Sequence, residues 1–259
     1  MAGIMEGKCG LITGGGSGMG RAAALMFTKE GAKVLVAGRT LSKLEETRKL
    51  VQAQGGVCEV FQCDVTVEEQ VKAMVDKTVE LFGKIDFGFN NASIETTNQP
   101  IWERDSDSFK EIIEGDLYST FYCIKYESAY MVKQGFGAIC NTSSGAGEVG
   151  VTNMDPYSVA KAGVNNLTKS AAMGLGSHGV RCNAILPGMT LTPMIKAFKE
   201  HHPKFAEEME NSIPLERMAE PEEQASAAMF LLSDMSSDIT GTLLRVDGGY
   251  LSGMYQKKK

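Results

Sequence analysis

Tyr157 and Lys161 stand four residues apart in Tyr157-Ser-Val-Ala-Lys161, a spacing that holds a phenol and an ammonium on one face of a helix. A free tyrosine is almost entirely neutral at pH 7. A cation beside it favours the phenolate, and enough such stabilisation makes tyrosine a general acid/base near neutral pH. The same spacing also describes ordinary neighbours on a helix surface, so the pair needs support from the rest of the chain. Other reactive side chains offer less. His178 sits in a Ser-His-Gly turn, and His201 and His202 adjoin each other in a charged stretch with no third metal ligand. Ser143 and Ser144 lack the Gly-x-Ser-x-Gly elbow of a hydrolase. No metal site is expected.

The elements that must position the Tyr/Lys pair alternate along the chain. Short apolar runs at 8–13, 33–37, 57–62, 85–89, 138–142, 180–186 and 242–246 read as seven strands. Helical patterns at 21–30, 41–54, 67–82, 107–134 and from Tyr157 to about 175 separate them, with Gly31, Gly55 and Gly83 as stops. This rhythm predicts an α/β fold, a doubly wound parallel sheet with helices on both faces. One domain over 1–259 is expected, since no repeat, low-complexity run or linker divides the chain. The segment 187–221 interrupts the rhythm and reads as one or two helices forming a lid over the site. Residues 250–259 read as a C-terminal tail ending in Lys257, Lys258 and Lys259.

The run Gly14-Gly-Gly-Ser-Gly18-Met-Gly20 leaves the first strand and opens the first helix. Backbone N–H groups and the positive end of the helix dipole meet there, which predicts a dinucleotide phosphate site built by Gly14, Ser17, Gly18, Met19 and Gly20. At the end of the second strand, where a carboxylate would bind the adenosine ribose hydroxyls, the chain reads Ala37-Gly38-Arg39-Thr40. A guanidinium in that place can pair with a phosphate, which favours NADP(H) and leaves NAD(H) possible.

Composition fits a soluble protein. Of 259 residues, 43% are hydrophobic and 22% charged, enough for a large buried core. The net charge of -6 gives nucleic acid nothing to bind, and the basic cluster is confined to the last three residues. Six scattered cysteines, four of them inside apolar runs, read as reduced, buried small hydrophobes. No apolar run spans a membrane and the first residues carry no signal pattern, so a cytoplasmic location is expected.

Taken in order, Thr13-Gly14-x-x-x-Gly18-x-Gly20, Asp64-Val65, Asn90-Asn91-Ala92, Ser144, Tyr157-x-x-x-Lys161, Pro187-Gly188 with Thr192, and Asp247-Gly248-Gly249 resemble the classical short-chain dehydrogenase/reductases over nearly the full length. The resemblance implies a Rossmann-type three-layer sandwich and interconversion of a secondary alcohol and a ketone by hydride transfer. It makes Tyr157 the general acid/base, Lys161 its electrostatic partner and a nicotinamide-ribose ligand, and Ser144, thirteen residues upstream, the group that bonds the substrate oxygen. Asp64 and Val65 would meet adenine, Asn91 and Ala92 the adenosine ribose, and Pro187, Gly188, Thr190 and Thr192 the nicotinamide amide and pyrophosphate. A homo-oligomer, tetramer or dimer, is the family's usual assembly.

Two positions depart from the pattern. Asp116 stands where the family carries an asparagine thought to hold a water linking the lysine to solvent, and an ionised carboxylate there would partly offset the pull of Lys161 on Tyr157. Ser93 replaces the last glycine of Asn-Asn-Ala-Gly and would crowd the cofactor, weakening nucleotide binding. Asp116 sustains an alternative in which the chain is a catalytically weak or inactive nucleotide-binding sensor or scaffold. Met189, Met194, Met209 and Met218 around the lid suit a hydrophobic, steroid-like alcohol or ketone, although methionine more often serves as filler, and Glu148, Asn153 and Met154 would border the cleft. Sugar, polyol and 3-oxoacyl substrates stay open, although an acidic chain gives an acidic carrier little to grip.

Overall fold

The computed structural model describes residues 2–94 and 98–255, so the terminal lysines 257–259 lie outside the described residues. Strands form where short apolar runs can be covered on both faces. These are β1 (Cys9–Thr13), β2 (Lys33–Gly38), β3 (Val57–Gln62), β4 (Phe87–Asn90), β5 (Gly137–Thr142), β6 (Val180–Pro187) and β7 (Leu243–Val246). All pair in parallel in the order β3-β2-β1-β4-β5-β6-β7. Every residue of β1 is buried, as expected for a central strand with helices above and below.

Side chains of period two divide the core between two faces. Ile12, Val34, Val36, Phe87, Phe89 and Cys140 meet α1 (Gly18–Lys29), α2 (Leu41–Ala53) and α9 (Pro221–Leu232). On the other face Leu11, Leu35 and Ile139 meet α3 (Glu68–Phe82), α5 (Ser119–Gln134) and α6 (Asp155–Leu175). The expected helix over 107–134 is instead two helices, α4 (Ser106–Ile113) and α5, joined by a π-helical turn at Glu114–Tyr118. The wider turn carries Gly115 and Asp116 inward, and a Cβ on Gly115 would fall 2.4 Å from Ile94 Cδ1. Periodicity of apolar residues cannot reveal such an insertion. The segment 187–221 holds two helices, α7 (Pro193–His201) and α8 (Pro203–Asn211).

All six cysteines are free and buried. Burial pushes the Cys58 and Cys63 thiols up to about 12, which keeps them protonated and inert. Among the described residues no helix is long and apolar enough to cross a membrane.

Candidate active site

The strand order reverses direction between β1 and β4, and the predicted site residues gather at the carboxyl ends of the strands around that point. Gly14 and Gly18 adopt left-handed backbone, φ +68° and +50°, so the turn after β1 requires them. Its carbonyls are tied back into the protein: Thr47 Oγ1 donates to Gly15 O (2.9 Å) and Arg21 Nη2 to Gly16 O (2.6 Å). Arg21 is fixed in turn by Glu46 at 2.8 Å. With its carbonyls held away, the turn leaves amide N–H groups and the start of α1 for an anion. Sequence reasoning missed Arg21 and Thr47, because nothing local shows that α2 docks on the turn.

Close packing makes the turn intolerant of side chains. A Cβ on Gly20 would lie 2.3 Å from Gly14 O and 2.9 Å from Asn91 Nδ2. Gly20→Ala is expected to destabilise the protein by about 2 kcal/mol and to abolish the rise in melting temperature on adding a nicotinamide nucleotide. A thermal-shift titration measures both.

The remaining predicted cofactor residues lie at or just beyond the carboxyl ends of β2, β3, β4 and β6. Asn91 N and Ala92 N both donate to Thr13 Oγ1 at 3.0 Å, and Asn91 Nδ2 donates to Thr13 O, so β1 fixes the start of the loop after β4. Arg39 is exposed at the end of β2, its carbonyl accepting from Gln62 Nε2. Asp64 accepts from Thr66 N and Oγ1, and Val65 is buried beside it. Beyond β6, Pro187 and Gly188 lead to Thr190, which donates to Gly188 O, and to Thr192, which caps α7 through Ile195 N. A Cβ on Gly18 would approach Thr192 Cγ2 to 3.3 Å, so this segment closes over the glycine turn, with exposed Ser17 and half-buried Met19 at its edge. A cradle lined by backbone, with side chains excluded by contact, fits a dinucleotide.

At the end of β5 the two serines separate. Ser143 is buried and donates to Lys161 O (3.1 Å), a structural bond. Ser144 is half-buried, and among the described residues its hydroxyl accepts only from Ala146 N at 3.2 Å. Pro156 in the first turn of α6 presets that helix, which presents half-buried Tyr157 and, one turn on, fully buried Lys161. Lys161 Nζ lies 5.4 Å from the Tyr157 ring centre, donates to Thr142 O (3.2 Å) and pairs with Asp116 Oδ1 at 3.5 Å. Asp116 is thus in direct contact with the lysine. The Ser93 hydroxyl donates to Asp116 Oδ1 at 2.6 Å, so it is directed at the carboxylate.

The three histidines are exposed, with the His202 ring against Phe198 (4.7 Å). Among the described residues no group of three His, Cys, Asp or Glu could hold a metal ion.

Comparison with known proteins agrees with this geometry. The family profile described as Enoyl-(Acyl carrier protein) reductase matches residues 14–251. The chain is 40% identical to the 2,5-dichloro-2,5-cyclohexadiene-1,4-diol dehydrogenase of Sphingobium indicum, covering 95% of this chain and 98% of that one. It is 36% identical to the cyclohexanol dehydrogenase of an Acinetobacter species, covering 97% and 98%. The solved structure of an NAD+-bound xylitol dehydrogenase superimposes with a TM-score of 0.91 at 34% identity, covering 95% of this chain and 99% of that one. The sheet order, the glycine turn, the Tyr157/Lys161 pair and these likenesses over almost the whole length together make the chain a member of the classical short-chain dehydrogenase/reductase family.

Proposed function

We propose that this chain is an NADP(H)-preferring oxidoreductase interconverting a secondary alcohol and a ketone on a largely apolar carbon ring. The observation that carries the reading is half-buried Tyr157 one helical turn from buried Lys161, with Ser144 at the end of the neighbouring strand and the glycine cradle beside them. When bound, the nicotinamide supplies the hydride acceptor or donor. Ser144 donates a hydrogen bond to the substrate oxygen and steadies the charge that builds there. Tyr157 takes the hydroxyl proton in oxidation and returns it to the carbonyl oxygen in reduction. Lys161, held by Thr142 O and Asp116, places a positive charge against the Tyr157 ring and stabilises its phenolate.

A ring substrate is supported by the two relatives named for cyclohexane-type alcohols and by the side chains of the 187–221 segment, which we take as the lid. Met194, Phe198 and Phe205 are exposed on α7 and α8, and Phe198 packs edge-on against Phe205 at 5.7 Å. Such a surface covers an apolar ring at little desolvation cost. We further place the enzyme in the cytoplasm, where buried free thiols are the rule, as a homo-oligomer of one-domain subunits.

Arg39 supports the NADP(H) preference, since an exposed guanidinium at the end of β2 can pair with a ribose phosphate. NADPH is expected to raise the melting temperature more than NADH at equal concentration. Arg39→Asp should reverse the order, with NADPH affinity falling on the order of 10- to 100-fold. A larger shift with NADH in the native protein would overturn the preference. A panel of cyclic, linear and polyol alcohols, followed by nicotinamide absorbance with the better cofactor, then tests the substrate class. Cyclic secondary alcohols are expected to give the highest kcat/KM.

A further inference from the structure

Resting on that reading, we infer that Ser93 and Asp116 form one linked pair of positioning residues that governs how strongly Lys161 acts on Tyr157. One oxygen, Asp116 Oδ1, faces three donors: Ser93 Oγ at 2.6 Å, Ile94 N at 3.2 Å and Lys161 Nζ at 3.5 Å. The Asp116 and Lys161 side chains are 0% and 1% exposed, so water does not screen the charge between them. The other oxygen, Oδ2, is buried without a partner among the described residues, which concentrates the carboxylate's interactions on Oδ1.

A neutral amide in this place would hold Lys161 by dipole alone. A carboxylate holds it by charge, and every increment of that hold is taken from the stabilisation that Lys161 gives the Tyr157 phenolate. The short bond from Ser93 competes for the same oxygen and withdraws charge from it, as does the Ile94 amide. Ser93 therefore loosens the grip of Asp116 on the lysine, and the two departures from the family pattern act as a compensating pair.

Few other charges intervene. From α6 the titratable groups that face this point are Lys161 and, behind it, Tyr157. Lys110 of α4, Glu111 just beyond it on the same helix, and Glu114 of the π turn are exposed, and Glu127 of α5 is bound to Asn90.

The test uses four full-length proteins: native, Ser93→Gly, Asp116→Asn and the double variant. For each, kcat for oxidation of the best secondary alcohol is measured across pH, along with the thermal shift produced by NADPH. Ser93→Gly in the native background is expected to lower kcat at pH 7 on the order of fivefold to tenfold. The rise of its rate should move to higher pH by about half to one unit, with the NADPH shift unchanged. Asp116→Asn should move the rise to lower pH. In the Asp116→Asn background, Ser93→Gly should change kcat less than about twofold, since the oxygen it competes for no longer carries the charge. Ser93→Thr, which keeps the hydroxyl, should retain the native pH profile.

An equal effect of Ser93→Gly in both backgrounds overturns the linkage. So does a stronger NADPH shift with an unmoved pH profile, the result expected if Ser93 merely crowds the nucleotide. Should Asp116→Asn fail to fold, Ser93→Gly against Ser93→Thr still decides, because a pH profile common to both contradicts the pairing. Failure of the functional reading itself is distinct: it appears as undiminished turnover in Tyr157→Phe, whatever the Ser93 variants do.

Discussion

Tyr157→Phe is expected to lower kcat on the order of 10³-fold for both alcohol oxidation and ketone reduction, leaving the fold and nucleotide binding intact. The size follows from what is removed. The phenol oxygen is the only group of Tyr157 that can carry a proton, and a water in its place lacks both its fixed position and the adjacent Lys161 charge. The selectivity follows from the surroundings. Tyr157 is half-buried and its hydroxyl makes no hydrogen bond to the described residues, so its loss strands no buried partner. The ring stays, and with it the contact to Lys161 Nζ at 5.4 Å. Nicotinamide absorbance reports the turnover, and a thermal shift with the same nucleotide reports binding. A variant that binds the nucleotide and still turns over at the native rate would remove Tyr157 from the reaction.

That tyrosine was legible in the sequence because its chemistry rests on local spacing, four residues of one helix, and the same holds for the glycine turn, where strand, turn and helix are contiguous. The strands were legible for another reason. In a parallel sheet covered on both faces the apolar run of a strand is nearly unbroken, as in β1 and β2, so burial marks it without help from its neighbours.

What escaped depends on contacts between distant segments. The π turn inserts a residue into a helix whose apolar pattern continues on either side, so Asp116 was matched to the family's asparagine position without being seen to enter the interior. Ser93 was read against the nucleotide because the family's glycine lies there; only the packed structure shows that its hydroxyl reaches a carboxylate 23 positions later. Arg21 and Thr47 were not singled out, yet both bind carbonyls of the glycine turn. Each of these polar side chains has a partner more than twenty positions away, Ser93 and Asp116 in each other, Arg21 in Glu46 and Thr47 in Gly15, which periodicity and composition do not encode.

Glu127 is the largest such omission and yields the second prediction. It sits on α5 in the interior, fully buried, with Asn90 Nδ2 donating to Oε2 at 3.1 Å and Oε1 without a partner among the described residues. Gly88 of β4 makes the space: a Cβ there would fall 2.2 Å from Glu127 Oε1. Removal from water pushes the carboxyl up to about 8, only partly opposed by the bond from Asn90. The unfolded chain releases this proton near 4.5, whereas the fold retains it until about pH 8. Between those values the folded state holds a proton at Glu127 that the unfolded chain has lost, so this group's contribution to stability is most favourable below about 4.5, declines as pH rises and levels off above about 8. The total loss across the window is a few kcal/mol. Glu127→Gln keeps the shape, still accepts from Asn90 through its carbonyl and cannot ionise. Its melting temperature is expected to exceed that of the native protein by about 5–10 °C at pH 8 and to match it within about 2 °C at pH 4.5. Thermal melts across that range measure the difference. A gap that does not widen with pH would mean that Glu127 does not hold its proton inside the fold, and that the glycine at 88 serves packing alone.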